Sequence, residues 1–233
     1  MRIAVFSDIH GNLEALTCVL KQVRKERADT LVCLGDIVGY GPFPNECIEL
    51  VRKQCTIVVR GNHDTGAVYG ALLEEFDADG RIAMEWTRSK LTPESGEYLR
   101  ALPIIHNSND VTYVHASPVN PEHWTYVFAW QDAAKAFLHF TTNTCCVGHT
   151  HIPAIVAANG MVNSYQEGER HLINVGSVGQ PRDGDPRASF ALLDTKRHSA
   201  SIIRVEYDIA ATADAIRKAG LPEFLARRLA FGI

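Results

Sequence analysis

The sequence has no uninterrupted apolar run near the roughly 20 residues that a bilayer span needs, and the apolar segment before Ser7 is too short for a secretory signal peptide. The expectation is a soluble, cytoplasmic protein with no membrane partner. An excess of one charge sign is also missing: 23 Lys and Arg stand against 27 Asp and Glu, a formal charge of −4. No bulk field draws such a chain to a polyanion, so no stable nucleic-acid partner is expected and any phosphate affinity must be local. The six cysteines, Cys18, Cys33, Cys47, Cys55, Cys145 and Cys146, include no C-x2-C pair. Cys33, Cys145 and Cys146 fall inside apolar runs, where cysteine acts as a small buried hydrophobe, and reduced thiols are expected. G-x-x-x-x-G-K-[ST], G-x-G-x-x-G and G-x-S-x-G are all absent, which disfavours nucleotide-driven work, redox chemistry and a serine nucleophile. There are no repeats, low-complexity tracts or linkers, and 233 residues suit one domain over 1–233.

What is present begins with an alternation of strand-like and helix-like segments: residues 3–6, 13–27, 30–34, 45–53 and 56–59. That βαβαβ order implies parallel strands whose carboxyl ends gather ligands. Residues 66–102 change character. Ala71, Leu72, Leu73 and Phe76, then Ile82, Ala83, Trp86 and Leu91, are spaced as helix faces, which predicts a helical insertion near the active site. Strand-like runs return at 111–114, 144–147, 154–158, 171–175, 188–193 and 201–207, with turn signals at Asn159-Gly160 and Asp183-Gly184-Asp185-Pro186, and read as an antiparallel meander. A closing helix over 210–229 is interrupted at Gly220-Leu221-Pro222.

Five short polar motifs sit mostly where these runs stop: Asp8-Ile9-His10, Gly35-Asp36, Gly61-Asn62-His63-Asp64, His115, and Gly148-His149-Thr150-His151. Their carboxylates, imidazoles and one amide carbonyl suit two hard-to-borderline divalent cations rather than a structural zinc. The two-residue offset between Asp8 and His10 puts both side chains on one side of an extended segment, within reach of one ion, and the same offset joins His149 and His151.

In this order the motifs resemble those of the calcineurin-like metallophosphoesterases: D-x-H, G-D, G-N-H-D/E, a lone H, and G-H-x-H. The resemblance covers nearly the whole chain and implies an α/β fold, a four-layer αββα sandwich of two mixed sheets flanked by helices. It implies one metal held by Asp8, His10, Asp36 and His151, and another held by Asp36, Asn62, His115 and His149, with Asp36 bridging. The ions would be Mn, Fe, Co, Ni or Zn, since such sites accept what is available. It further implies that His63 faces the substrate and is partnered by Asp64, which would favour its protonated form and suit a general acid. Two ions against Asp8 and Asp36 leave a local charge of about +2, enough to attract phosphate oxygens.

Residues 174–188, rich in Gly, Pro and charge, resemble a segment of the family's small bacterial and archaeal branch. Its Arg182 would reach phosphate oxygens or else pair structurally with Asp183; Tyr40 would stack on a base or simply pack; Asn12 is placed to touch phosphate or support the ligands. The function expected is hydrolysis of small phosphate monoesters, diesters or nucleotides, dinucleoside polyphosphates included, by a hydroxide bridging the two metals. The alternatives are a nuclease-like phosphodiesterase, which would need a basic stripe that is not evident, and a non-catalytic protein-binding scaffold on the same fold.

Overall fold

The protein is described by a computed structural model covering residues 1–70, 72–163 and 165–233. Its strands are β1 (Arg2–Phe6), β2 (Thr30–Cys33), β3 (Ile57–Val58), β4 (Ile105–Ser108), β5 (Val111–Val114), β6 (Thr144–Val147), β7 (Ala154–Ala157), β8 (His171–Asn174), β9 (Ala188–Asp194) and β10 (Ser199–Val205). The helices are α1 (Leu13–Lys25), α2 (Pro44–Gln54), α3 (Asn62–Tyr69), α4 (Ala78–Lys90), α5 (Pro93–Ala101), α6 (Trp130–Ala136), α7 (Ile209–Lys218) and α8 (Glu223–Arg227). None of them is long and apolar enough to cross a membrane.

Alternation along the strands builds the layers. In β1, Ala4 and Phe6 pack outward with Leu16, Val19 and Val23 of α1, while Ile3 and Val5 pack inward with Tyr113, Cys146 and Ile173 of the other sheet. Cys145 and Cys146 therefore face opposite layers, Cys145 joining Phe137 and Phe140 beneath α6. All six cysteines are free. One sheet has the order β10-β9-β1-β2-β3 and the other β4-β5-β6-β8-β7, and the result is the expected sandwich of two mixed sheets between helices.

The second half departs from the meander. β5, β6 and β8 are mutually parallel, and among the described strands the pairs β4–β5, β7–β8, β9–β10 and β1–β9 are antiparallel. The reason is a crossover: residues 115–143 carry α6 over the outer face of the sheet, which returns the chain parallel to β5. Strand periodicity cannot reveal that direction. β4 and α6 were not anticipated. In the segment expected to be helical from 66, α3 starts at Asn62 and stops at Gly70, whose φ of 69° caps it. Leu72, at φ 67°, Leu73 and Phe76 lie in turns, and α4 restarts only where the Asp77 side chain accepts from Gly80 N. Ala71, assigned to the same helix face, lies outside the described residues.

The parallel strands matter most. β1, β2 and β3 in one sheet and β5, β6 and β8 in the other deliver their carboxyl ends to one rim, where every motif residue is found.

Candidate metal centre

Asp8 and His10 follow β1, Asp36 follows β2, Asn62 follows β3 at the first turn of α3, His115 follows β5, and His149 and His151 follow β6. Asp8, His10, Asp36, His149 and His151 all have left-handed backbones, with φ between 49° and 65°. Such a conformation costs a non-glycine residue roughly 1–2 kcal/mol. Five of them around one point show side-chain placement prevailing over backbone preference. Tertiary hydrogen bonds hold the turns: Asp8 N donates to Gly35 O, His10 N to Asp36 O, His149 N to the Asp8 carboxylate, and His63 N to the Asp36 carboxylate. The motif glycines are there for close approach. A Cβ on Gly61 would strike the Asp36 carboxylate, and one on Gly148 would strike Ser7 and Asp8.

Three imidazole tautomers follow from their partners. His10 Nδ1 lies 3.1 Å from Val38 O, His115 Nδ1 2.9 Å from Leu34 O, and His151 Nδ1 2.6 Å from Gln180 O. A carbonyl only accepts, so each Nδ1 carries the proton and each Nε2 presents a lone pair. Those lone pairs converge: His10 Nε2 is 3.1 Å from His151 Nε2, and His115 Nε2 is 3.1 Å from Asn62 Oδ1 and 3.2 Å from His149 Nδ1. For the neutral rings, His10 Nε2 against His151 Nε2 and His115 Nε2 against Asn62 Oδ1 set acceptor against acceptor, which is repulsive unless a proton or a cation sits between them. Asp36 Oδ2 stands between the two groups, 3.8 Å from His10 Nε2 and 3.3 Å from His115 Nε2. Asp8 Oδ1, 3.2 Å from His151 Nε2, is buried without a hydrogen-bond donor. The donor set is one that could hold metal: Asp8, His10 and His151 form one cluster, Asp36, His115 and His149 another, and His10, Asp36 and His63 a third that overlaps both, with Asn62 beside the second.

The charges agree. Burial opposes ionisation of Asp8 and Asp36, but the surrounding imidazoles, His151 and His115 foremost, hold both carboxyls below the ordinary carboxylate range. At His115, burial is outweighed by the carboxylates of Asp36 and Asp8, which push it up to about 9. That much negative charge calls for a positive partner, a proton or a metal ion. Burial takes His10 well below its usual value and His149 down to about 3, the neutral form a metal requires.

His63 and Asp64 differ from the expectation. The Asp64 carboxylate accepts from the backbone N–H groups of Asp36, Ile37, Val38 and Gly61, at 2.8 to 3.3 Å. It clamps the loop that carries Asp36 and makes no bond to His63. His63 packs among Tyr40, Phe76 and His10, its Nδ1 buried without a partner, and burial lowers its pKa to about 4. The protonated form is thus disfavoured in this environment, because the carboxylate expected to favour it is turned away.

Asn12 does not line the cleft. Its Oδ1 caps α1 at Ala15 N and accepts from Thr212, and its Nδ2 donates to Gly179 O, so it ties the ligand loops to the fold. Tyr40 packs against the His10 and His63 rings, with the Arg182 guanidinium 5.8 Å over its face. Arg182 bonds the Gln180 side chain, while Asp183 pairs with Arg204 instead. Among the described residues Arg182 has no carboxylate partner, and its guanidinium reaches the cleft.

That cleft is a cavity of about 320 Å³ lined by Asp36, Asn62, His63, His149, His151, Tyr40 and Arg182, by Leu72 and Phe76 of the segment expected to be helical, and by residues not singled out in the sequence: Glu75, Asp77, His123, Trp124 and Tyr126. Tyr126 stacks on His149 at 4.0 Å and 19°, and Trp124 meets His115 edge-on at 6.0 Å. Asn174 was missed as well; its amide donates to Gly148 O and Thr150 Oγ1 and sets the turn that presents His149 and His151. The aromatics of residues 124–128, in an irregular loop after a lone histidine, carry no spacing signal that could have marked them.

The profile of the calcineurin-like phosphoesterase superfamily domain matches residues 1–198. An uncharacterised protein of Methanocaldococcus jannaschii is 41% identical over 240 residues, spanning 99% of this chain and 98% of that protein. The crystal structure of a metallophosphoesterase from Sphaerobacter thermophilus superposes with a TM-score of 0.90 at 43% identity, covering 100% of this chain and 99% of the other. The phosphodiesterase YfcE of Escherichia coli is 28% identical over 205 residues, 83% of this chain and 88% of that protein.

Proposed function

This chain belongs to the calcineurin-like phosphoesterase superfamily, and from that premise we propose that it is a dinuclear metal-dependent hydrolase of small phosphate monoesters and diesters, nucleotides included. The observation that carries the reading is the convergence of imidazole lone pairs on two points that share Asp36. Asp8, His10, Asp36 and His151 would hold one ion, and Asp36, Asn62, His115 and His149 the other. When bound, such ions supply Lewis acidity, a water of lowered pKa and charge to offset the phosphoryl oxygens.

The chain's own groups account for the rest. Arg182, with no carboxylate partner among the described residues and its Nε and Nη2 bonded to Gln180 Oε1, offers its remaining N–H donors to phosphate oxygens. His63, neutral and lining the cavity, presents an imidazole to the phosphoryl or leaving oxygen, near enough to the ligands to exchange a proton there. Phe76, Tyr40 and Trp124 exclude water from the walls. The volume suits a small ester, and Glu75 and Asp77 on the lining work against an extended polyanion such as duplex DNA.

The test is elemental analysis paired with turnover of a chromogenic phosphodiester. Asp36→Asn should lower metal content at both positions, whereas His10→Ala and His115→Ala should each mainly empty one, because the Asp36 carboxylate stands between the clusters. Two metals retained in Asp36→Asn with full turnover would remove the shared-ligand assignment.

A further inference from the structure

Two glycines end helical stretches in the C-terminal part of the chain, and they differ in what surrounds them. Gly220 after α7 and Gly232 after the 3-10 turn Arg228–Phe231 both have left-handed backbones, with φ of 73° and 64°, a common way for a helix to stop. Among the described residues a Cβ on Gly220 would meet nothing within 4 Å, whereas one on Gly232 would lie 2.8 to 2.9 Å from the backbone N, C and O atoms of Asp185. Across the same contact Gly184 N donates to Gly232 O at 2.9 Å. Gly232 is buried although Phe231 and Ile233 on either side are exposed. The turn that presents it is closed by its own bonds, from Arg228 Nε to Ile233 O at 2.5 Å and from Ile233 N to Arg228 O at 3.5 Å. Stopping a helix explains the backbone of Gly232 but not so close an approach to another loop.

The loop gripped in this way carries Arg182. Arg182 N donates to His151 O at 3.2 Å, and Asp183 pairs with Arg204 of β10. Gly184 and Asp185 come next, and there the partner is Gly232. The Arg182 side chain bonds Gln180 Oε1 at 2.7 Å and overlies the Tyr40 ring, and these two supports are themselves backed by C-terminal residues. Tyr40 packs against the apolar cluster of Ile216, Leu225 and Leu229. Tyr40, Gln180, Leu225 and Leu229 border a gap of about 10 Å³, too small to let either support shift. A guanidinium on a long side chain meets a phosphate oxygen well only if the backbone beneath it is fixed, because hydrogen bonds weaken steeply with angle.

We propose that Gly232 is a positioning residue for phosphate binding: the turn of residues 228–233 seats on Gly184 and Asp185 in the space a side chain would fill, and so fixes the loop that aims the free N–H donors of Arg182 into the cleft. This rests on the assignment of Arg182 to phosphate. The test measures the dissociation constant of inorganic phosphate by calorimetric titration of the manganese-loaded protein, with kcat and KM for a chromogenic diester measured separately. Gly232→Ala should weaken phosphate binding about tenfold, the scale of one hydrogen bond to a charged group. KM should rise in proportion while kcat stays within about twofold of wild type and metal content is unchanged, the pattern of lost uniform binding. Gly232→Asn accepts a left-handed backbone yet still carries a Cβ, so it should act alike and separates the contact from backbone strain. Gly220→Ala bears the same backbone penalty without the contact and should bind phosphate as wild type does. In an Arg182→Ala background Gly232→Ala should cost little more, because a residue that acts through Arg182 then has nothing to position. Phosphate affinity unchanged in both Gly232 variants, an equal loss in Gly220→Ala, or a full further loss on top of Arg182→Ala overturns the positioning role. So does unchanged affinity in Arg182→Ala, which would remove Arg182 itself from the phosphate site. If the affinities behave as expected but no diester is turned over with any metal, the phosphoesterase reading falls and the positioning role stands.

Discussion

Arg182 and His63 are the residues whose chemistry the fold leaves open. The guanidinium of Arg182 has a glutamine partner and a tyrosine face beneath it but, among the described residues, no carboxylate partner. Arg182→Ala should therefore weaken phosphate and substrate binding by about 1.5–3 kcal/mol, the worth of a hydrogen bond to a charged group, with the melting temperature near wild type. Arg182→Lys should recover only part, because an ammonium cannot reproduce the fork. Inhibition by inorganic phosphate measures both, and an unchanged inhibition constant with a large fall in melting temperature would make Arg182 a structural residue. His63→Ala should keep its metals and lose rate by roughly 10²–10⁴, the range of a positioned acid–base group. The loss should be smaller for nitrophenyl esters than for alkyl esters, whose leaving oxygens need a proton more; equal losses would assign His63 to phosphoryl binding alone.

At the scale of elements, Asp64 joins α3 to the loop after β2. One carboxylate in the first turn of the helix satisfies four buried N–H groups, three of them on the segment that positions Asp36. Removing it leaves those donors unpaired at about 1–3 kcal/mol for each that finds no substitute. Asp64→Ala should therefore lower the urea midpoint markedly and reduce metal content, whereas His63→Ala, one residue away, should do neither. If Asp64→Ala proved as stable as wild type and lost only rate, the clamp would be wrong and a partnership with His63 restored. The same contrast shows why adjacent motif residues take separate roles: successive positions on a helix point about 100° apart, and here one faces the cavity while the other faces the loop beneath it.

Across the whole molecule, the candidate ligands bridge the sandwich. Asp8, Asp36 and Asn62 come from the sheet of β1, β2 and β3, and His115, His149 and His151 from the sheet of β5, β6 and β8. Ions bound there would staple the two sheets at one rim and neutralise carboxylates that are fully buried. Chelation should therefore lower the melting temperature, and saturating metal should restore it, with a gain of about 4 kcal/mol at a thousandfold excess over the dissociation constant. A melting temperature insensitive to chelator, in protein shown to lose its metals, would count against a site spanning both sheets. The C-terminal elements beyond the family match take part as well: Thr212 of α7 donates to Asn12, and Gly184 N to Gly232 O.

Motif order marked which side chains could meet a metal and roughly where they would stand. Asp8, His10, Asp36, Asn62, His115, His149 and His151 follow apolar runs, and parallel strands with covered faces carry such ends to one side of a sheet. The layers were legible too, because period-two alternation in runs such as Arg2–Phe6 decides which face each residue buries. Direction and partnership came instead from contacts between distant segments. Nothing local in 111–114, 144–147 and 171–174 says that these strands run parallel; the α6 crossover settles that. Nothing near Asp64 says that its carboxylate turns to Asp36, Ile37 and Val38, or near Asp183 that it pairs with Arg204 rather than Arg182. The stack of Tyr126 on His149 exists only once an irregular loop has folded back over the rim. Periodicity and motif order are properties of neighbours along the chain, whereas a hydrogen bond or a stack depends on distances in space that long-range contacts alone set.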